Sequence, residues 1–182
     1  MNQFFTLLCL LLTTSFYAQI NEGQDFCDPN KNGDFFPLSI EKKKILWADY
    51  SYFETQNGTK QIKGKIYIEF LQNWGDKTDK LYLREENGTI YQYEECCTIE
   101  TIRYDINFKK GHSWKTADGK STYEIISYNG KLKTPFCEYK NLLVIKAELD
   151  FGTYHFYYLQ GHGYVGATTS KNKLISCVTP AW

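Results

Sequence analysis

The sequence has little proline, a single methionine and no surplus of charge of either sign. Four of its 182 residues are proline, and Lys+Arg and Asp+Glu each number 21, so the formal net charge is zero. A neutral chain lacks the basic field that draws a protein to nucleic acid, so this composition argues against a nucleic-acid partner. The length is enough for one globular domain with a sizeable core and too short for two domains of ordinary size.

Motifs that mark catalysis, nucleotide binding or metal binding are also missing. The chain contains no G-x-S-x-G turn, no phosphate-binding loop and no dinucleotide fingerprint. Its three histidines, His112, His155 and His162, show no metal-ligand spacing. We therefore expect no metal, no other cofactor and no enzymatic activity. The alternative is a hydrolase with an unrecognised site, in which one of these histidines meets a carboxylate in a cleft.

Aromatic residues, by contrast, are abundant. The chain has 15 Tyr, 12 Phe and 4 Trp, together 17% of the sequence. This is far more buriable surface than a disordered segment carries, and a tyrosine-rich composition favours strands over helices. The composition therefore predicts a folded, strand-rich domain.

The N-terminus indicates export. Residues 1–18 contain no charged side chain and include an apolar run at residues 4–12. This pattern is typical of a secretory signal peptide, with cleavage expected after Ala18. The run is too short for the alternative, an uncleaved anchor helix, and no later segment could span a membrane. Residues 19–34 are polar and predict an irregular lead-in, and residues 35–182 form the predicted single β domain of a periplasmic or extracellular protein.

Export would place the cysteines in an oxidising compartment. Of the six, Cys9 would leave with the signal peptide, and five would remain: Cys27, Cys96, Cys97, Cys137 and Cys177. Five cysteines predict at most two intrachain disulfides and one leftover thiol, without fixing the pairing. Cys96 and Cys97 would face opposite sides of a strand, so we expect them to bond to different partners and not to each other.

Three Asn-Gly pairs divide the chain into strand-like runs. Asn57-Gly58, Asn87-Gly88 and Asn129-Gly130 each separate two such runs, and Asn-Gly supplies the positive φ angles of tight hairpin turns. Within the runs, apolar and polar residues alternate, as in strands with one solvated face. The first strand is predicted to contain four alternating residues: Leu46, Ala48, Tyr50 and Tyr52.

Two later runs are apolar on both faces. Residues 142–145 and 156–159 have this composition, so we place them centrally or under a covering segment. The expected fold is all-β: an antiparallel meander of roughly eight to ten strands that forms a strongly curved sheet, an open barrel or a sandwich. Such a sheet has a concave face, and side chains either fill that face or leave a cavity.

Aromatic ladders are the candidate ligand-binding residues. Tyr91 and Tyr93 share one strand face, and Tyr154, Phe156 and Tyr158 share another. Such ladders can line a groove for an apolar ligand, although core packing is their commoner role. The basic run at residues 42–44 is predicted to be the solvated entry of a strand.

Five short motifs follow one another along residues 35–182. They are Phe36-Pro37-Leu38, a G-x-x-W at residues 111–114, Thr134-Pro135, an Asn-Leu-rich strand at 141–145, and Y-Y-x-x-G-x-G-x-V at 157–165. In this order they resemble a loose family of uncharacterised exported bacterial β proteins. The resemblance implies an antiparallel curved-sheet domain at the cell envelope and brings no known catalytic residue. The structural residues of the motifs are Trp114, Pro135, Gly161 and Gly163, and the glycines are expected to permit a bend or bulge.

The sequence as a whole predicts a non-enzymatic exported β domain that binds an envelope protein or an apolar ligand. A carrier requires a cavity lined by Tyr and Phe from alternating positions. An interaction module, such as an immunity or inhibitor protein, requires an exposed aromatic patch or a free sheet edge. A structural subunit of a surface assembly is a further alternative, and the sequence does not set the oligomeric state.

Overall fold

The computed structural model describes Cys27 and residues 33–179. Every regular element in this part of the chain is a strand, which confirms the all-β prediction. The predicted signal peptide, its cleavage after Ala18 and most of the lead-in lie outside the described residues. The strands are β1 (Lys42–Trp47), β2 (Tyr50–Ile62), β3 (Lys65–Asn73), β4 (Thr78–Glu86), β5 (Thr89–Tyr93), β6 (Thr101–Asp105), β7 (Ser113–Lys115), β8 (Thr122–Lys133), β9 (Glu138–Leu149), β10 (Gly152–Leu159), β11 (Gly163–Thr169) and β12 (Leu174–Val178).

The twelve strands form one antiparallel sheet in which neighbours along the chain are also neighbours in space. The order β6-β5-β4-β3-β2-β1-β12-β11-β10-β9-β8-β7 joins two six-stranded meanders where β1 pairs with β12. β6 and β7 stand at the two ends of this order and approach each other, so the sheet is a nearly closed barrel. There are more strands than the expected eight to ten, partly because the chain turns at Ala48, with φ of 50°. The alternating residues that predicted one strand there divide between β1 and β2.

Side chains make the seam between β6 and β7, and the strand pairing of the described residues includes no ladder there. Trp114 Nε1 on β7 donates a hydrogen bond of 2.7 Å to the carbonyl oxygen of Ile102 on β6. The backbone N–H of Ala117 donates one of 2.8 Å to Thr101 Oγ1. Trp114, a structural residue of the predicted motifs, therefore lies where the barrel closes.

One of the three Asn-Gly hairpin predictions is confirmed, and two are wrong. Asn87 and Gly88 form the β4–β5 turn, with φ of 51° and 79°. Asn57-Gly58 instead lies inside β2 and Asn129-Gly130 inside β8, in each case where the register shifts. Asn-Gly can therefore lie at a bulge as well as at a hairpin turn, although of these four residues only Gly58, with φ of 77°, takes the positive φ of a hairpin turn. At Gly130 a side chain would also collide with β9, because a Cβ would lie 2.2 Å from Val144 Cγ2.

Parts of β9 and β10 are buried on both faces, as the two apolar runs predict, and so is most of β11. Residues 142–145 are buried in succession, and so are residues 157–159. One face points into the barrel, and the end of the β8–β9 hairpin covers the other with Leu132 and Tyr139. A Cβ on Gly166 would lie 2.8 Å from Leu132 Cδ2, so the glycine lets the hairpin end approach β11 closely.

The segment before β1 enters the barrel, and we call residues 35–40 the entry segment. The Phe36 ring stacks on Tyr104 and Tyr158, with centroid distances of 5.1 Å and 4.3 Å. The Gly161 N–H donates a hydrogen bond of 2.9 Å to the carbonyl oxygen of Asp34, which attaches the start of the segment to the β10–β11 turn. The aromatic rings of the entry segment therefore complete the core at this end of the barrel.

The described cysteines form two disulfides and leave one buried thiol, Cys177, as their number predicts. Cys27 bonds to Cys137, which follows Pro135 in the β8–β9 turn. Cys96 bonds to Cys97, so the expectation of different partners is wrong. The two residues lie in the turn between β5 and β6 and not on a strand, and the rule of opposite faces does not apply there.

Candidate functional site

A cavity of about 180 Å³ lies inside the barrel between the entry segment and the strand walls. Its walls come from strands β1 to β4, β6, β10 and β11, so most of the barrel circumference contributes to one site. Aromatic rings dominate the lining: Phe36, Trp47, Tyr52, Phe70, Phe156, Tyr158 and Tyr164. Along each strand the lining residues, aromatic or not, stand largely at alternating positions, because every second side chain of a strand points to the same face.

Of the five sequence-predicted ligand residues, Phe156 and Tyr158 line the cavity. Tyr154 lies nearer the β9–β10 turn, where its ring is 5.7 Å from that of Phe151. Tyr91 and Tyr93 stand on the outer face of β5. The register pairs them with Arg84 and Tyr82 of β4, and Leu83, which lies between those two, points into the cavity.

Three charged side chains line the cavity: Lys43, Glu54 and Arg103. Together they carry one net positive charge. None of the three was predicted from the sequence. The prediction that residues 42–44 form a solvated strand entry is wrong for Lys43, which is only 7% exposed. The available signal was its spacing, since Lys43 lies two residues before the buried Ile45 and shares its face of β1.

Lys43 reaches the β10–β11 turn. A Cβ on Gly163 would lie 3.1 Å from Lys43 Nζ and 3.4 Å from Pro37 Cδ. Gly163 has a φ of 73°, a conformation that L side chains rarely adopt. The predicted motif glycine therefore does more than bend the chain, because it also leaves room for a lysine ammonium and the entry segment beside the turn.

The charges of Glu54 and Arg103 both act on Tyr158 in the cavity wall. Gln72 Nε2 donates a hydrogen bond of 2.9 Å to Glu54 Oε2, which orients the carboxylate. The Arg103 guanidinium interacts electrostatically with Tyr158 and lies over the Tyr123 ring, 5.7 Å from its centroid. Burial raises the pKa of Tyr158 to about 12, although the guanidinium opposes this shift. Tyr158 is therefore a neutral hydroxyl at physiological pH.

The outer face of β3 and β4 carries a separate ionic network centred on Glu100. Arg84 donates to Glu100 through Nε at 2.6 Å and through Nη2 at 2.8 Å, and Tyr67 Oη donates at 2.7 Å. Lys65 also pairs with this carboxylate. The hydrogen bonds from Arg84, supported by those from Lys65 and Tyr67, lower the pKa of Glu100 to about 2. The network ties the β5–β6 loop to the sheet.

The histidines that an unrecognised hydrolase would need are not among the residues that line the cavity. The His112 ring stacks on Phe108 with a centroid distance of 3.8 Å. Burial and the charge of Lys146 lower the pKa of His155. His162 is fully buried within the β10–β11 turn. Of the described residues, Glu94, Cys96 and Cys97 could hold a metal, with ligand atoms within 4.8 Å of one another, but the two sulfurs are joined as a disulfide.

Comparison with protein-family models, curated proteins and solved structures finds no match to this chain. In the part of the chain described by the structure, no helix has the length and apolar character to cross a membrane.

Proposed function

We propose that this protein is a non-catalytic binding domain that holds a small amphiphilic anion in its barrel cavity. The observation that carries the proposal is an aromatic cavity that includes two cationic side chains, Lys43 and Arg103. Of the alternatives raised by the sequence, the carrier required a cavity lined by Tyr and Phe, and this cavity meets that requirement. Export to the periplasm or extracellular space remains part of the proposal, as does the resemblance to exported envelope proteins.

The size of the cavity limits the ligand. An engineered apolar cavity of about 150 Å³ holds a benzene molecule, whereas pockets for drug-sized ligands exceed about 300 Å³. A cavity of about 180 Å³ therefore accommodates one substituted aromatic ring or a short acyl chain. The aromatic side chains that surround it supply an apolar and polarisable wall for such a group.

The charges of the cavity select the polar end of the ligand. Lys43 and Arg103 outnumber Glu54, and Gln72 already donates a hydrogen bond to Glu54. A carboxylate in a partly desolvated site forms charge-assisted hydrogen bonds with ammonium and guanidinium groups. A cationic ligand would instead be repelled by these two cationic groups, so we expect the cavity to bind anions more tightly than cations.

Isothermal titration calorimetry with a matched series of probes tests the proposal. Benzoate, benzyl alcohol and benzylamine share one ring and differ in charge. We expect benzoate to bind at least tenfold more tightly than benzylamine, with benzyl alcohol between them. Lys43→Met keeps an unbranched side chain and removes the charge, so it should weaken benzoate at least tenfold and leave benzyl alcohol within threefold.

Lys42→Met is the matched control, because Lys42 is exposed on the same strand and lies over the Phe53 ring and not in the cavity. Circular dichroism verifies that each variant is folded, and Arg103→Met provides a second cavity variant. Equal binding of the three probes, or equal loss in Lys42→Met and Lys43→Met, would contradict the proposal. Native mass spectrometry of protein purified from its own cells adds a direct test, since a bound polypeptide in place of a small ligand would favour the interaction module.

A further inference from the structure

The Cys96–Cys97 disulfide lies at the surface of the loop between β5 and β6, residues 94–100. Cys96 is exposed and Cys97 is half-buried. Its neighbour Ile99 is 65% exposed, so this part of the loop faces solvent. A thiolate in solution therefore has direct access to Cys96, which thiol–disulfide exchange requires.

Covalent geometry makes a bond between adjacent cysteines easier to reduce than an ordinary disulfide. Consecutive Cα atoms across a trans peptide are about 3.8 Å apart, whereas disulfides usually span about 4.4–6.8 Å between Cα atoms. The Cys96 and Cys97 Cα atoms are 3.7 Å apart, and those of Cys27 and Cys137 are 5.4 Å apart. Departure from the usual span favours reduction, so the two disulfides differ in their chemistry.

The adjacent pair also contributes nothing by closing a chain loop. A disulfide restricts the unfolded chain in proportion to the logarithm of the loop that it closes. Cys27–Cys137 links residues 110 positions apart, whereas Cys96 and Cys97 are neighbours. The barrel therefore gains little stability from the second bond, and its opening leaves the fold intact.

Hydrogen bonds within the loop hold its two ends together independently of the disulfide. The Cys97 N–H donates to the carbonyl oxygen of Glu94 at 3.1 Å, and Thr101 Oγ1 donates to Glu94 Oε2 at 2.9 Å. The Arg84–Glu100 pair attaches the same loop to β4. Two thiols formed here remain in one ordered turn, so the disulfide can form again.

We propose that Cys96–Cys97 is a reversible redox site that exchanges with a dithiol reductant, separate from the ligand cavity. A thiolate of the reductant attacks Cys96 Sγ, the Cys96–Cys97 bond breaks, and Cys97 leaves as a thiolate that takes a proton. The second thiol of the reductant then attacks the reductant's first sulfur in the mixed disulfide. This closes the reductant's own disulfide and releases the Cys96 thiol. Two electrons and two protons pass from the dithiol, which becomes a disulfide.

Stepwise reduction of the folded protein with dithiothreitol tests this site. Samples are alkylated in the folded state and mapped by mass spectrometry, while circular dichroism reports the fold. We expect half-reduction of Cys96–Cys97 at a reductant concentration at least tenfold below that required for Cys27–Cys137. After removal of dithiothreitol, oxidised glutathione should restore the bond, and the far-ultraviolet spectrum should not change.

Cys177 provides an internal control, because burial raises the pKa of its thiol and alkylation there reports unfolding. Cys96→Ser/Cys97→Ser is the matched variant and should show no reduction of the folded protein in the low dithiothreitol range. Opening of Cys96–Cys97 only together with Cys177 alkylation would overturn the proposal. The same conclusion would follow if Cys27–Cys137 opened first, or if the loop failed to reoxidise.

Discussion

The two six-stranded meanders of the barrel differ in how they use their outer faces. In the meander β7–β12, the end of the β8–β9 hairpin covers the middle of the wall, where residues 142–145, 157–159 and 165–168 are buried on both faces. In the meander β1–β6, strands β2 and β4 together contain one buried residue, Tyr52, and the outer face carries ionic pairs. The two disulfides are divided in the same way. Cys27–Cys137 attaches to the covered meander β7–β12, and Cys96–Cys97 lies in the meander β1–β6, which we call the open meander.

The comparison shows that strand alternation alone does not decide how much a barrel wall contributes to stability. A wall covered on both sides gains apolar burial twice, at roughly 25 cal/mol per Å² of apolar surface. A wall with a wet outer face relies there on hydrogen-bonded ion pairs, whose net contributions are smaller because the charges lose hydration. We therefore expect the meander β7–β12 to be the stable part of the molecule and the meander β1–β6 the more adaptable part.

The largest expected difference lies between the two disulfides. Cys27→Ala/Cys137→Ala should lower the free energy of unfolding by about 4 kcal/mol, because this bond closes a long chain loop and anchors the covering hairpin. Cys96→Ala/Cys97→Ala should change it by less than about 0.5 kcal/mol. Urea unfolding followed by tryptophan fluorescence measures both values. Equal losses would remove the distinction between an anchoring bond and a surface bond.

A smaller difference should separate two leucines that both contribute to the barrel interior. Leu143 on β9 is 0% exposed, and Leu83 on β4 is half-buried at the cavity. Leu143→Ala should cost about 3 kcal/mol, because the residue is enclosed by a doubly covered wall and leaves a void. Leu83→Ala should cost about 1 kcal/mol, since it loses less burial beside an existing cavity. The same urea measurement applies, and a larger loss for Leu83→Ala would reverse the comparison.

An effect about as large as the leucine difference is expected in the ionic network of the open meander. Glu100→Gln should lower the free energy of unfolding at pH 7 by about 2 kcal/mol, because it weakens the charge-assisted bonds to Arg84. The pKa of Glu100 is about 2 in the fold against an ordinary 4.5, so its contribution is complete above pH 4.5 and is lost as the pH falls towards 2. Stability measured from pH 7 to pH 2 should therefore converge for the two proteins. A constant gap across this range would show that the charge of Glu100 is not the cause.

Much of the fold was predictable because strand period and aromatic composition are local properties of the chain. The apolar runs at 142–145 and 156–159 predicted burial on both faces, and Asn87-Gly88 predicted its turn. The remaining two Asn-Gly predictions failed because Asn-Gly can lie at a bulge as well as at a hairpin turn. What separates them is the neighbouring strand, such as Val144 beside Gly130, and that contact is set by tertiary structure.

The candidate site was less predictable than the fold. Phe156 and Tyr158 followed from their shared strand face, but the charged lining of the cavity did not. Lys43 has charged neighbours on both sides in the sequence and is buried by the distant β10–β11 turn. The Cys96–Cys97 bond was not predicted because the two cysteines were expected on a strand, whereas the chain turns there. Both errors arise from contacts between segments that sequence patterns describe one at a time.

The pairing of β1 with β12 also sets the order in which the molecule can be completed. Ile45 lies opposite Val178, so β1 can pair with β2 early but can pair with β12 only after residues up to 178 have been synthesised. During synthesis the meander β1–β6 can form early, but the wall that unites Trp47 with Phe156 and Tyr164 cannot. A ribosome-bound chain that lacks β12 would therefore hold an open, unfinished cavity. In the proposed carrier, ligand binding would therefore require β12 to be paired with β1.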